Sequence, residues 1–247
     1  MGPHEARPLL EVQQLGKSFG ALRVVDGVTF SLAAGEALGI IGPNGAGKTT
    51  LFHLIAGNLR ADAGRLVFAG TPMAALSPAS RCALGIGRTH QVPHPFDGLT
   101  VFENVLVGAT FGARLPPAQA ERHALDTLRS TGLLPQINRL AGSLTLLDRK
   151  RLELARALAT SPRLLLLDEI AGGLTEHEVR SLIDLVRDIR AQGIALIWIE
   201  HIVHALMAVV DRLMVLCDGR VLVQGEPAAV MAGSEVRETY MGMEAEP

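Results

Sequence analysis

The chain has 247 residues, 48% hydrophobic and 19% charged, with a formal net charge of −2. This composition excludes a disordered polymer, and the length is enough to bury a sizeable core. The small charge excludes a bulk positive field that would draw the chain to nucleic acid or anionic lipid.

The first residues, Met1 to Val12, lack a basic start followed by an apolar core, so no secretory signal is expected. Cys82 and Cys217 lie far apart and form no CxxC, which argues against a zinc knuckle or redox pair and suits a reducing compartment. No uncharged run reaches the roughly 20 residues needed to span a bilayer. The most apolar stretch, Ile194 to Leu216, is broken by Glu200, His201, Asp211 and Arg212. A membrane process served by this chain therefore needs another chain for its membrane part.

Leu9 to Leu15, Val24 to Leu32 and Leu66 to Ala69 are predicted short strands of an antiparallel sheet. Between the first two, Phe19 sits in Gly16-Lys17-Ser18-Phe19-Gly20, in a chain with only 4% aromatics. Its ring suits either stacking on a base or packing in the core. Ala37 to Ile41, Leu164 to Leu167 and Ile194 to Ile199 are continuous apolar runs, as expected for strands of a parallel sheet covered on both faces. Ligands of such sheets gather at the carboxyl ends of the strands. Gly42 to Thr50, Asp168 with Glu169, and Glu200 with His201 are thus candidates for one shared site.

Residues from about 92 to 160 read as a helical insert punctuated by Pro93, Pro95, Pro116, Pro117 and Pro135. Thr175 and Glu178 form a capping box for a helix over Glu176 to Gln192, stopped by Gly193. Its apolar stripe is Val179, Leu182, Ile183, Val186 and Ile189. The fold class is α/β: a core of mainly parallel sheet flanked by helices, with an N-terminal antiparallel β part and a helical subdomain insert.

Gly42-Pro43-Asn44-Gly45-Ala46-Gly47-Lys48-Thr49 fits G-x-x-x-x-G-K-[ST], and Thr50 continues into the next helix. Glycines let successive backbone N–H groups turn inward on phosphate oxygens, and the following helix adds its positive end. Lys48 is placed to reach the β/γ-phosphates and the Thr49 hydroxyl to ligate Mg²⁺. The apolar run ending at Leu167 is followed by Asp168, a candidate for the Mg²⁺ shell. Glu169 is a candidate for polarising the attacking water. His201 suits either a contact to the γ-phosphate or a structural role. Gln91 suits either touching both Mg²⁺ and the water, if the rest of the set is present, or serving as an exposed loop amide. Together these residues mark the α/β core as that of a P-loop NTPase, and the implied cofactors are ATP and Mg²⁺. His201 and His204 have helical spacing, but no further ligands complete a structural metal site.

In this order of elements the chain resembles the ABC transporter ATPase family along nearly its whole length. It is most similar to the ATP-binding subunits of branched-chain amino acid importers. Gly85-Ile86-Gly87-Arg88-Thr89-His90-Gln91, Leu99-Thr100-Val101-Phe102-Glu103-Asn104-Val105 and Glu238-Thr239-Tyr240-Met241-Gly242 carry that closer likeness. The resemblance implies an ATPase domain over 7–242, its core about 7–91 and 161–242 and its insert about 92–160. It implies that Phe19 stacks on adenine and that the chain works peripherally at the cytoplasmic side of the inner membrane. It also implies its partners: a second ABC ATPase subunit, permease subunits and, indirectly, a substrate-binding protein, with no nucleic acid. Phe96 and Phe102 are expected either to dock a permease helix or to fill the insert's core.

The family's LSGGQ signature falls on Leu144-Thr145-Leu146-Leu147-Asp148, ahead of a helix expected from Arg149 to Ala159. The resemblance makes Thr145 a contact to the γ-phosphate held by the partner subunit. Leu147 replaces a glycine, and Asp148 is expected to bring a charge of the wrong sign. Ile170 stands in place of a proline, and Thr175 in place of a frequent aspartate. An intact phosphate loop beside an altered signature points to a heteromeric ATPase pair. A non-transport ABC protein of translation, repair or regulation is the alternative, but those carry two cassettes, coiled-coil inserts or a basic face. A structural subunit with weak hydrolysis is the other.

Overall fold

A computed structural model describes residues 7–238. The ending that carries part of the importer likeness, Thr239 to Gly242, lies outside the described residues. In chain order the strands and helices are β1 (Leu10–Phe19), β2 (Leu22–Leu32), β3 (Ala37–Ile41), α1 (Lys48–Ala56), β4 (Ala63–Phe68), β5 (Thr71–Pro72), α2 (Pro78–Ala83), β6 (Ile86–Arg88), α3 (Val101–Val107), α4 (Pro117–Ser130), α5 (Leu146–Leu158), β7 (Leu164–Asp168), α6 (Glu176–Ala191), β8 (Ala195–Ile199), α7 (Val203–Met207), β9 (Arg212–Cys217), β10 (Arg220–Gly225) and α8 (Pro227–Ala232). The chain divides into two compact units, residues 79–196 and the stretches before and after them.

In the unit formed by the two ends of the chain, β1 pairs antiparallel with β2 from Leu10↔Leu32 to Phe19↔Leu22. On its other edge β1 pairs with β4, and β4 with β5. The antiparallel sheet is therefore longer than the sequence suggests. β1 runs through Gly16 to Phe19, because the turn needs only Gly20 and Ala21, with Gly20 at φ 60°. Phe19 thus stands at the end of β1 rather than between the strands. β3, buried along its whole length, lies parallel to β9 in the register Leu38↔Arg212 to Ile41↔Val215. β9 returns antiparallel into β10 through Asp218 and Gly219, at φ 46° and 77°. Two successive left-handed residues match the right-handed twist of the flanking strands.

In the other unit β6 and β7 run parallel, Ile86↔Leu164 to Arg88↔Leu166. All five residues of β7 are buried, as a continuous apolar run requires. α6 ends at Ala191, with Gly193 at φ 82° beyond its cap, and its stripe from Val179 to Ile189 is buried. The capping box is present: Thr175 Oγ1 accepts from Glu178 N–H, and Glu178 Oε2 accepts from Thr175 N–H at 2.8 Å.

Residues 92–160 hold α3, α4 and α5, packed around Val101, Val105, Ala120, Ala124, Leu128, Leu152 and Ala155. Alanines at these contacts let the helices approach closely. A Cβ on Gly108 would lie 2.7 Å from the Arg156 carbonyl oxygen, so only glycine permits that crossing. Phe102 packs against this core. Phe96 is 46% exposed.

Candidate nucleotide site

In the unit of the two chain ends, the glycine-rich loop links β3 to α1. Gly42, Gly45 and Gly47 all have φ in the range closed to most side chains, at 153°, 84° and 95°. Their reasons differ. A Cβ on Gly42 would sit 2.0 Å from the Leu216 carbonyl oxygen, and one on Gly47 would sit 2.4 Å from that of Val24. Gly45 faces open space, so only its backbone angle demands glycine. The loop is seated on the β9–β10 turn, where Gly219 N–H donates to the Ala46 carbonyl at 3.2 Å. That turn is held in its turn by Asp26, whose N–H donates to the Gly219 carbonyl at 2.8 Å. Hydrogen bonding to the Arg220 side chain holds the Asp26 carboxyl below its usual range.

Gly47 is also the N-cap of α1. It offers no side-chain cap, and the first turn of α1 carries no acid. The helix therefore presents its positive end with no side chain capping it, the requirement for an anion. Lys48 is 6% exposed, and its ammonium donates to the carbonyls of Gly42 and Pro43 at 2.6 and 2.9 Å, inside the loop's own curl. Asn44 and Thr49 are exposed and Thr50 is half-buried, while Ala46 is buried.

Phe19 is 49% exposed, which removes core packing as the reason for its presence. Lys17 Nζ lies 5.6 Å from its ring centroid and is paired with Asp62 at 2.8 Å. That bond and the Ser18 N–H keep the Asp62 carboxyl below its usual range. His201 lies exposed between β8 and α7, and its N–H donates to the buried Glu200 carboxylate at 3.1 Å.

In the other unit, β6 and β7 bring three candidates together, Asp168, Glu169 and Gln91. Asp168, 3% exposed, closes β7. Arg88 Nη2 donates to Asp168 Oδ2 at 2.9 Å, a pair whose side chains are 11% and 4% exposed. Burying a carboxylate is costly unless a charge and hydrogen bonds accompany it, and Arg88 supplies both. Thr89, fully buried, accepts from the Asp168 N–H at 3.2 Å, and its own N–H donates to the Leu166 carbonyl at 2.9 Å. Glu169 follows at φ 47°, a left-handed conformation that costs a non-glycine residue about 1–3 kcal/mol and re-aims its side chain. Gln91 Nε2 donates to Glu169 Oε2 at 2.5 Å.

Arg88 had not been singled out in the sequence. The available signal was a cation closing an apolar strand, Ile86-Gly87-Arg88. Its Nε and Nη1 are buried and find no acceptor among the described residues.

Comparison with known proteins fixes the family. The family model described as ABC transporter matches residues 25–172, a stretch holding both the glycine-rich loop and the Asp168–Glu169 strand end. The chain belongs to the ABC transporter ATPase family. It is 35% identical to the lipopolysaccharide export system ATP-binding protein LptB of Acidithiobacillus ferridurans, over 95% of this chain and 97% of that one. It is 34% identical to the high-affinity branched-chain amino acid transport ATP-binding protein LivG of Salmonella typhimurium, over 96% and 99%. The ADP conformation of MJ1267, an ATP-binding cassette of an ABC transporter, superposes with a TM-score of 0.87 at 31% identity, covering 96% of this chain and all of that one. The fold is thus that of an ABC ATPase cassette, and the chain is an ATPase subunit of a transporter.

The signature region of this ABC ATPase corrects two expectations. α5 begins at Leu146, not at Arg149, with Thr145 as its N-cap. Leucines at 146 and 147 are good helix formers, so the helix takes in the residues expected to precede it. The Thr145 hydroxyl accepts from Asp148 N–H at 3.3 Å and donates to Asp148 Oδ2 at 3.0 Å. Asp148 is 9% exposed, and its Oδ2 also accepts from Gln136 at 2.8 Å, with Arg151 3.8 Å away. It therefore closes a cap and does not present a bare negative charge. The side chain that α5 does present at this end is Leu146, 44% exposed.

Proposed function

We propose that this subunit binds MgATP and hydrolyses it to power an importer of branched-chain or other small amino acids or amides. The observation that carries the nucleotide part is the glycine cradle: a loop in which a Cβ would collide at Gly42 and Gly47, opening on an uncapped helix N-terminus with a buried lysine. Similarity to LivG and the matching segments 85–91 and 99–105 support the cargo class.

In this reading the backbone from Gly42 to Thr50 and the Lys48 ammonium hold the phosphates, and Phe19 stacks on adenine. Glu169 polarises the attacking water, Gln91 orients it, and His201 contacts the γ-phosphate. Thr49, Asp168 and Gln91 offer hard oxygen donors, the set that suits Mg²⁺, which when bound would neutralise developing phosphate charge. Thr145 contacts the nucleotide of the partner subunit. The ATPase domain spans 7–242, with 92–160 as its helical insert.

ATP closes two such subunits face to face and hydrolysis releases them, which can drive transport only if ATP favours the closed state. The altered signature, with Leu146 and Leu147 opening α5, favours a heteromeric pair whose partner carries a glycine-containing signature. Permease subunits supply the membrane part, a substrate-binding protein supplies the cargo, and the chain sits at the cytoplasmic face of the inner membrane. No helix among the described residues is long and apolar enough to cross a membrane.

The test is co-purification with the products of neighbouring genes and reconstitution in vesicles. Mg²⁺-dependent ATPase stimulated by a binding protein loaded with a branched-chain amino acid is expected. Stimulation by a sugar or a lipid alone would overturn the cargo assignment and leave the ATPase assignment standing.

A further inference from the structure

The residues on one face of α5 are engaged with the Glu169 carbonyl and with the backbone on either side of Gln91. Lys150, Glu153 and Arg156 are spaced three apart, so they line one side of the helix. Lys150 Nζ donates to the Glu169 carbonyl at 3.4 Å. Arg156 Nη1 donates to Glu153 Oε2 at 3.0 Å and to the His94 carbonyl at 2.7 Å. The Arg156 guanidinium also lies 4.9 Å from the centroid of the Phe96 ring. Glu153, 5% exposed, accepts the backbone N–H of His90. The far end of the loop is pinned by Asn104, fully buried, which accepts the Phe96 N–H at 2.8 Å and donates to the Phe96 carbonyl at 3.1 Å.

Gln91 therefore hangs between two fixed points, His90 and His94, both held by the same ion pair. Such a pair is a poor source of stability, because an apolar pair of like volume would serve the fold as well. What an apolar pair would not supply is a directed bond to the His90 N–H and another to the His94 carbonyl.

We propose that Glu153 and Arg156 are positioning residues for Gln91, a clasp by which α5 sets the reach of the Gln91 amide to Glu169. The proposal rests on the assignment of Gln91 and Glu169 to the attacking water. The helix that carries the signature at its N-terminus thereby governs the water-handling pair through its later turns.

The experiment is a double-mutant cycle on the assembled transporter, with hydrogen exchange of residues 89–97 as a second readout. Glu153→Ala and Arg156→Ala are expected to lower kcat about tenfold to hundredfold, the usual effect of misplacing a reacting group. KM for ATP should change little. Glu153→Gln and Arg156→Lys, which keep part of the bonding, should recover much of the loss. In a Gln91→Ala background the same substitutions should cost little more. Exchange should rise in 89–97 and stay unchanged in α6.

An undiminished drop in the Gln91→Ala background, no drop at all, or exchange that rises equally in α6 would each overturn the clasp. If the alanine variants fail to fold, the glutamine and lysine variants carry the cycle. Full activity in Gln91→Ala alone would overturn the catalytic assignment and the clasp's effect on turnover. Exchange in 89–97 would still decide whether Glu153 and Arg156 hold the loop.

Discussion

The loop from Gly42 to Thr50 and the strand end at Asp168–Glu169 are built by opposite means. The loop is made of backbone: its fitness depends on where side chains are missing, at Gly42 and Gly47, and on a helix start with no cap. The strand end is made of side chains, each held by another: Asp168 by Arg88, Glu169 by Gln91, and the Glu169 carbonyl by Lys150. Where the loop backbone lies against a neighbouring carbonyl, at Gly42 and Gly47, no added atom is tolerated. Side-chain sites tolerate changes of size and fail when a partner is lost.

The largest effect separating the two should come from Glu169→Gln. Turnover is expected to fall by about a hundredfold to ten-thousandfold, the range for losing a general base, while ATP affinity is kept. Unchanged steady-state ATPase with the partners present would refute the assignment. Next, Gly47→Ala should cost about 2–4 kcal/mol through strain plus collision with the Val24 carbonyl. Gly45→Ala, with open space around it, should cost only the left-handed backbone, about 1–2 kcal/mol. Equal losses of ATP binding and stability in the two variants would break the distinction.

Leu147→Gly should raise ATPase at the site this signature completes, at the expense of about 1 kcal/mol of helix stability. A fall in activity would show that the leucine-bearing start of α5 is itself a working form. Thr175→Ala should cost about 1 kcal/mol, measured as a lowered midpoint of chemical denaturation, by removing the cap of α6.

The smallest effect is in pH dependence. Burial raises the Glu153 carboxyl above its ordinary 4.5, with Arg156, the His90 N–H and His94 opposing it. A raised folded-state pKa means stability present at low pH and lost as pH climbs through it. The melting temperature of Glu153→Gln should therefore gain on the wild type as pH is raised from 4.5. A gap that narrows over that range would contradict the direction of the shift.

The parts legible in the sequence are those whose cause is local. β3, β7 and β8 are continuous apolar runs, α6 carries its own capping box, and the glycine-rich loop is a contiguous pattern. What the sequence concealed depends on residues far apart in the chain or on competition between neighbours. Arg88 reaches Asp168 across 80 residues because two parallel strands place them side by side. The start of α5 moved upstream because Leu146 and Leu147 prefer helix where the family pattern has glycine. Asp148, expected to bring a charge of the wrong sign, is drawn into the cap by Thr145 and Gln136. Phe19, expected between the first two strands, instead ends β1, because the hairpin closes at Gly20 and Ala21 alone.

The most direct measurement is calorimetric titration of the purified, folded chain with ATP, with and without magnesium, beside Lys48→Ala. Binding that depends on magnesium and disappears in the lysine variant is the predicted result. A folded wild-type chain with no magnesium-dependent affinity for adenine nucleotide would contradict the account at its base.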